Sequence, residues 1–153
     1  MHNYLSLIKN LEFYQKKQEA VVMASVVRRE APTSGKPGDK ALITQNGEIK
    51  GWIGGGCTRG IVVKEALAAL EEGTPRLVRI QTALDVPDQL GVKNYKMTCM
   101  SGGSLEVYIE PIMPILELKI FGRSHIAKAL CELGVSSGFR VTVISDLIEE
   151  EMF

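Results

Sequence analysis

The run Gly51-Trp52-Ile53-Gly54-Gly55-Gly56-Cys57-Thr58-Arg59-Gly60 places a cysteine directly behind three consecutive glycines. Glycine admits backbone conformations closed to other residues and lets a ligand come close to the N–H groups. A helix that starts here turns its first unpaired N–H groups, and the positive end of its dipole, toward the same space. That combination suits an anion, most naturally a phosphate. Gly54, Gly55 and Gly56 are the expected cradle. Thr58 is expected to cap the helix, and Arg59 to add a bidentate phosphate contact. Cys57 brings sulfur, a soft ligand and a nucleophile. The same residues also suit a plain strand-to-helix turn in which Cys57 is merely small. The run is not a Walker A loop, because no Gly-Lys-Ser/Thr follows, nor is it a clean dinucleotide fingerprint.

A second cysteine has similar surroundings. Thr98-Cys99-Met100-Ser101-Gly102-Gly103 precedes an alternating strand pattern. Taken alone, Cys99 reads as a buried core thiol. Taken with Cys57, it makes two glycine-flanked cysteines able to converge, so Cys99, Ser101, Gly102 and Gly103 join the candidate binding residues. Lys40 and Glu106 are weaker candidates. Cys131 falls inside a helical pattern and reads as core. The cysteines and histidines have no CxxC or HxxxH spacing, so a zinc site is not favoured.

These residues need elements to hold them. The 153 residues amount to about one domain's worth, enough for a real core. Eighteen basic and 18 acidic side chains balance, which argues against a general nucleic-acid binder. No apolar stretch is long enough to span a membrane, and the first 18 residues do not read as a signal peptide, so the cytoplasm is the expected compartment.

Residues 3–18 place Tyr4, Leu5, Leu7, Ile8, Leu11 and Tyr14 near helical spacing. The Val-rich run 20–28 predicts a central strand covered on both faces. Residues 31–40, with two Pro and two Gly, read as a loop. Asn46-Gly47 between two apolar runs predicts a hairpin. Residues 58–72 read as a helix that stops at Gly73. Residues 76–82 read as a strand, 83–100 as loop with a turn of helix, and 104–111 as a half-buried strand. Residues 112–114 look like a boundary. The fold class is therefore α/β: an α+β domain with a mixed sheet over 1–112, then a partial Rossmann-like βαβ unit over 115–153.

In that last unit a strand over 117–122 leads into a helix over 124–135 that carries Ile126, Ala127, Leu130 and Leu133. A second strand ends near Asp146, and the chain is expected to stop straight after it. Gly122-Arg123-Ser124-His125-Ile126-Ala127 stands where a dinucleotide fingerprint would, with Ser124 replacing the second glycine. That replacement weakens any reading of NAD(P) as a cofactor.

Together, the Pro32-to-Ala66 stretch with its Gly-Gly-Gly-Cys57 centre, the Cys99-to-Pro111 stretch and the Ile120-to-Asp146 stretch resemble the XdhC/CoxI family of molybdoenzyme accessory proteins. The resemblance covers roughly residues 20–146. It implies a cytoplasmic accessory protein rather than an enzyme, one that binds molybdenum cofactor (molybdopterin), protects it, and delivers it to a xanthine dehydrogenase or CO dehydrogenase apoprotein. Cys57 then becomes the expected molybdenum or sulfur contact, with Cys99 second. The implied partners are the molybdoenzyme apoprotein, a cysteine desulfurase or nucleotidyltransferase, and a second copy in a homodimer. Neither nucleic acid nor a membrane is expected. Full-length members continue through a complete Rossmann domain, so this chain is expected to be C-terminally truncated. Two other functions stay open. One is an NAD(P)-dependent oxidoreductase using the last βαβ unit. The other is an interaction module that completes a partner's sheet.

Overall fold

In the computed structural model, the described residues are 4–82, 90–97 and 102–145, together with the backbone of 148–152. The chain forms two units, Met1–Met113 and Pro114–Phe153.

The first unit runs α1 (Tyr4–Lys16), β1 (Val21–Glu30), β2 (Lys40–Thr44), β3 (Ile49–Gly51), α2 (Gly56–Glu72), β4 (Arg76–Gln81), β5 (Val92–Lys96) and β6 (Ser104–Ile112). Its strands form one mixed sheet in the order β3-β2-β1-β6-β4-β5. Only β4 and β5 run parallel; the other neighbours are antiparallel.

Strand alternation decides which face each residue covers. On one face Val22, Ala24 and Val26 of β1 pack with Val78, Ile80, Val107 and Ile109 against Val62, Ala66 and Ala69 of α2. On the other, Val21 and Leu42 pack under Leu7 and Tyr14 of α1. The first half of β1 is thus central and covered on both sides, as its Val-rich run predicts, while residues 27–30 are exposed. The predicted hairpin closes at Asn46-Gly47: the Gly47 N–H donates to the Thr44 carbonyl, and the Thr44 N–H to the Glu48 carbonyl. Gly73 ends α2 in the left-handed conformation, as its position after the apolar period predicts.

Three expectations need correction. Residues 92–96 are a strand, β5, rather than loop, and they pair with β4 from Leu77–Val92 to Gln81–Lys96. An edge strand has one neighbour and half-exposed side chains, so neither apolar period marks it. The apolar face of α1 is also narrower than its spacing suggests. Leu7 and Tyr14 are buried, but Tyr4, Leu5 and Ile8 are exposed. Lastly, α2 begins two residues earlier than expected, at Gly56.

The second unit holds β7 (Glu117–Phe121), α3 (His125–Ser136), β8 (Arg140–Ser145) and β9 (Ile148–Met152). The parallel pair β7–β8 with α3 between them is the predicted βαβ. A further strand, β9, follows and pairs antiparallel to β8, where no element was expected. The helix also presents a different face. Ala127, Cys131 and Gly134 are buried, while Ile126, Leu130 and Leu133 are exposed. The small residues let the helix settle close to the strands: a Cβ at Gly134 would lie 2.8 Å from Leu118 Cδ2 and 2.9 Å from Val141 Cγ2. Cys131 is core, as its position predicts. Among the described residues, no helix is long and apolar enough to cross a membrane.

Candidate functional site

One end of the six-stranded sheet gathers most of the candidate residues. Glu30 and Gln81 both pair with Ser104, and Gln81 also pairs with Lys96, so β1, β4 and β5 finish where β6 begins. The carboxyl ends of parallel strands are the usual place for a ligand crevice in open α/β sheets. Here the chain leaves β3, turns through the glycines and starts α2.

The helix start differs in detail from the expectation. Gly55 is the N-cap residue, and no side chain caps the helix. Thr58 is buried in the first turn, so it does not cap. The N–H groups of Thr58 and Arg59 both donate to the Gly55 carbonyl. Those of Gly56 and Cys57 find no acceptor among the described residues, as expected for the orphan donors of a first turn.

Gly55, Gly56, Cys57 and Thr58 line one wall of a cleft of about 420 Å³. The opposing wall comes from the loop after β1, chiefly Pro32, Thr33 and Ser34, and Met97 also contributes. The two loops approach closely. A Cβ on Gly55 would sit 3.3 Å from Ser34 Oγ, and one on Gly35 would sit 3.3 Å from the Ile53 carbonyl oxygen. Gly54, at φ +114, lies beneath them, where a Cβ would be 3.5 Å from Thr58 Oγ1. Thr33 Oγ1 donates to the Gly35 carbonyl at 3.2 Å and tightens the loop. The Ser34 hydroxyl has no partner among the described residues. Cys57 is half-buried, with its flank against the core.

The other predicted residues are placed as follows. Arg59 is exposed on the first turn and does not line the cleft. Gly103 is buried where a Cβ would strike the Glu30 and Pro32 carbonyl oxygens. The second glycine pair is therefore fastened to the loop that forms the cleft's far wall. Gly102 beside it is exposed. Cys99 and Ser101 lie outside the described residues, as does Asp146. Lys40 and Glu106 lie on the opposite face of the sheet. Lys40 donates to Ser25 Oγ at 2.9 Å, and Glu106 accepts from Arg79 Nε at 2.8 Å. The residues that sequence reading missed are Thr33, Ser34 and Met97. Two hydroxyls before Gly35 were the available signal, but a Pro- and Gly-rich run reads only as loop.

Behind the cleft, α2 is locked to the sheet by a buried polar cluster. Glu65 is 3% exposed and accepts from Arg76 Nη1 at 2.8 Å, from the Tyr95 hydroxyl and from Lys93 at 3.3 Å. Burial pushes the Glu65 carboxyl up, but the hydrogen bonds from Tyr95, Arg76 and Lys93 together outweigh it and hold the group below its ordinary value. Its hydrogen bond to Glu65, with burial second, pushes the Tyr95 hydroxyl up to about 12.

Among the described residues the site offers two free amides, a free hydroxyl and one thiol, and no carboxylate, histidine or lysine lines it. That donor set can hold an anion and place sulfur beside it; it contains no acid–base pair. Among the described residues, no group of three or more His, Cys, Asp or Glu could hold a metal ion. In the second unit, Ser124 Oγ accepts from the Ala127 N–H at 3.1 Å. That takes one of the first-turn donors a pyrophosphate would use.

Residues 14–81, which include β1, the cleft loop, the glycine turn and α2, match the model of the XdhC and CoxI family. An Escherichia coli (strain K12) protein named "Uncharacterized protein YqeB" is 31% identical over 111 residues, covering 72% of this chain and 19% of its own length. A crystal structure described as a xanthine dehydrogenase from Bacillus halodurans shares the fold at a TM-score of 0.52 and 17% identity, over 89% of this chain and 61% of that one. The chain thus spans about a fifth of the curated relative and three fifths of the solved structure. The segment that holds Cys57 and its glycine loop is therefore similar to the XdhC and CoxI family.

Proposed function

We propose that this chain is an accessory protein that binds molybdenum cofactor and hands it to a xanthine dehydrogenase or CO dehydrogenase-type apoprotein. The observation that carries the reading is the wall of the 420 Å³ cleft, where the Cys57 thiol stands beside the unpaired amides of Gly56 and Cys57. The match of residues 14–81 to the XdhC and CoxI family and the description of the solved neighbour as a xanthine dehydrogenase support it further. The cargo is a pterin that bears a phosphate and a metal held by sulfur. Its phosphate suits the two amides, the Ser34 hydroxyl and the helix dipole. Its metal and exchangeable sulfur suit a soft thiol. The cleft's own task in this reading is to bind, orient and screen from water. The amides, hydroxyl and thiol that line it suit holding a cargo, which is the chaperone role proposed. Cys99 is proposed as the second sulfur at the same cleft. A homodimer and the cytoplasm are the proposed state and compartment. A cysteine desulfurase or nucleotidyltransferase is the proposed source of the mature cofactor.

The test is cofactor retention in a host that makes the cofactor, with purification under anaerobic conditions. Molybdenum is read by mass spectrometry, and the pterin by fluorescence after oxidation. Wild type should carry both in stoichiometric amount and Cys57→Ser should lose both, with the fluorescence of Trp52 confirming that each is folded. Equal retention by Cys57→Ser would remove the role given to Cys57. No cofactor in either protein would remove the chaperone reading for this chain.

A further inference from the structure

A second cleft, of about 360 Å³, lies on the face of the sheet away from Cys57. Tyr4, Ser6 and Asn10 of α1 form one side, and Lys40, Lys50 and Gly51 of β2 and β3 form the other. Strand alternation fixes the side. Ala41 and Ile43 pack toward α2, so Lys40 and Leu42 face α1, and Lys50, which pairs with Leu42, faces α1 as well.

The charges in this cleft do not balance. Lys40 is half-buried, and its ammonium has one neutral partner, Ser25 Oγ, at 2.9 Å. No carboxylate stands within ion-pair distance of it among the described residues. An ammonium carries three donors, so two remain to be satisfied. A charge withdrawn from water is normally paired. Lys50 lies 5.3 Å from the Tyr14 ring centroid and has one ion pair, a long one at 3.9 Å to Glu48, whose side chain is 65% exposed. Among the described residues no Asp or Glu lines the cleft. Lys40 thus has no counter-charge among the described residues, and a ligand can supply it while replacing the long, exposed Glu48 pair at Lys50.

We propose that this cleft binds a small dianionic phosphate monoester between Lys40 and Lys50. Two ammonium groups match two negative charges, and lysine binds phosphate as a point charge. The hydroxyls of Ser6 and Tyr4 and the amide of Asn10 supply neutral donors for the remaining oxygens. The volume is in the range of small-molecule sites. This site is separate from the glycine-loop cleft and does not depend on it.

The experiment is a titration of the full ¹⁵N-labelled chain with inorganic phosphate at constant ionic strength, followed by amide shifts. Saturable shifts are expected at Asn10, Lys40 and Gly51, and they should persist in Cys57→Ser. Lys40→Met should weaken binding by about tenfold or more, the loss expected for a charged hydrogen bond. Lys36→Met, which removes an equal charge from the neighbouring loop, should leave it unchanged. Lys50→Met gives the same reading if Lys40→Met fails to fold, as judged by Trp52 fluorescence. Acetate should bind at least about tenfold more weakly than phosphate, since one charge satisfies one ammonium. Shifts that do not saturate, equal affinity in both lysine variants and wild type, or equal affinity for acetate would each overturn the proposal. Shifts confined to Gly55–Thr58 would overturn it too, while supporting the anion role of the other cleft.

Discussion

Replacing Glu65 by alanine should be the most damaging single change in the first unit. The carboxylate is the hub of the buried cluster, bonded to Arg76, Tyr95 and Lys93. Without it, the Arg76 side chain, only 6% exposed, keeps Glu72 alone as its partner. The Glu72 side chain is 57% exposed, and such a pair contributes no more than about 1 kcal/mol. Breaking a buried pair and stranding one charge costs about 3–5 kcal/mol. For a unit of this size each kcal/mol moves the midpoint by about 4 °C, so the transition should fall by about 12–20 °C. Trp52, the only tryptophan, lies in this unit and reports its unfolding by fluorescence in heat or urea. The double variant Glu65→Leu/Arg76→Leu should lose less than Glu65→Ala, since removing both charges leaves none buried alone. The sign of the pH dependence follows from the carboxyl's position below its ordinary value in the folded state. Its contribution is complete above the unfolded value of about 4.3 and is lost as pH falls through the folded one. Glu65→Gln should therefore flatten the acid limb of the stability curve. A loss under about 1 kcal/mol in Glu65→Ala, or a double variant no better than the single, would refute the claim that a stranded Arg76 dominates.

Tyr95 should ionise near pH 12, about two units above a free tyrosine, so one of the four tyrosines should titrate late by ultraviolet absorbance. Its folded value is raised, so its contribution to stability is complete below about pH 10 and is lost as pH climbs toward 12. Tyr95→Phe should abolish that late step. Gly51→Ala should destabilise by more than about 2 kcal/mol, because φ is +123 and the new Cβ would lie 2.8 Å from Ala41 Cα; a urea midpoint like that of wild type would contradict it. Gly56→Ala should do the opposite to stability. Its Cβ meets nothing within 4 Å and the residue is helical, so a gain of about 0.4–1 kcal/mol is expected. The same methyl points into open space at the cleft wall, so retained molybdenum should fall even as the urea midpoint rises.

The sequence is most legible where one residue type does one job. The Val run of β1, the Asn46-Gly47 turn and the alternation of Leu105, Val107 and Ile109 each carry a single physical meaning, and each forms as read. Legibility fails where a residue's role depends on a neighbour far along the chain. Val92–Lys96 becomes a strand only because β4 offers it an edge, and its half-exposed polar residues leave no period to detect. Ile126, Leu130 and Leu133 have the larger apolar surface, yet the helix turns Ala127, Cys131 and Gly134 inward, and at Gly134 even one Cβ would crowd Leu118 and Val141. The candidate site divides the same way. Gly55, Gly56 and Cys57 announce themselves by type and spacing. Thr33 and Ser34 enter only because the loop after β1 folds across the glycine turn, a contact between positions about twenty residues apart. Thr58 shows how the two cases meet: it looks like a cap in a helix that begins at 58, but the open backbone of Gly54–Gly56 carries the helix start back to 56 and turns the threonine inward. The glycine run thus sets where α2 begins as well as leaving space at the cleft. The two amides left unpaired at its first turn are a consequence of that early start.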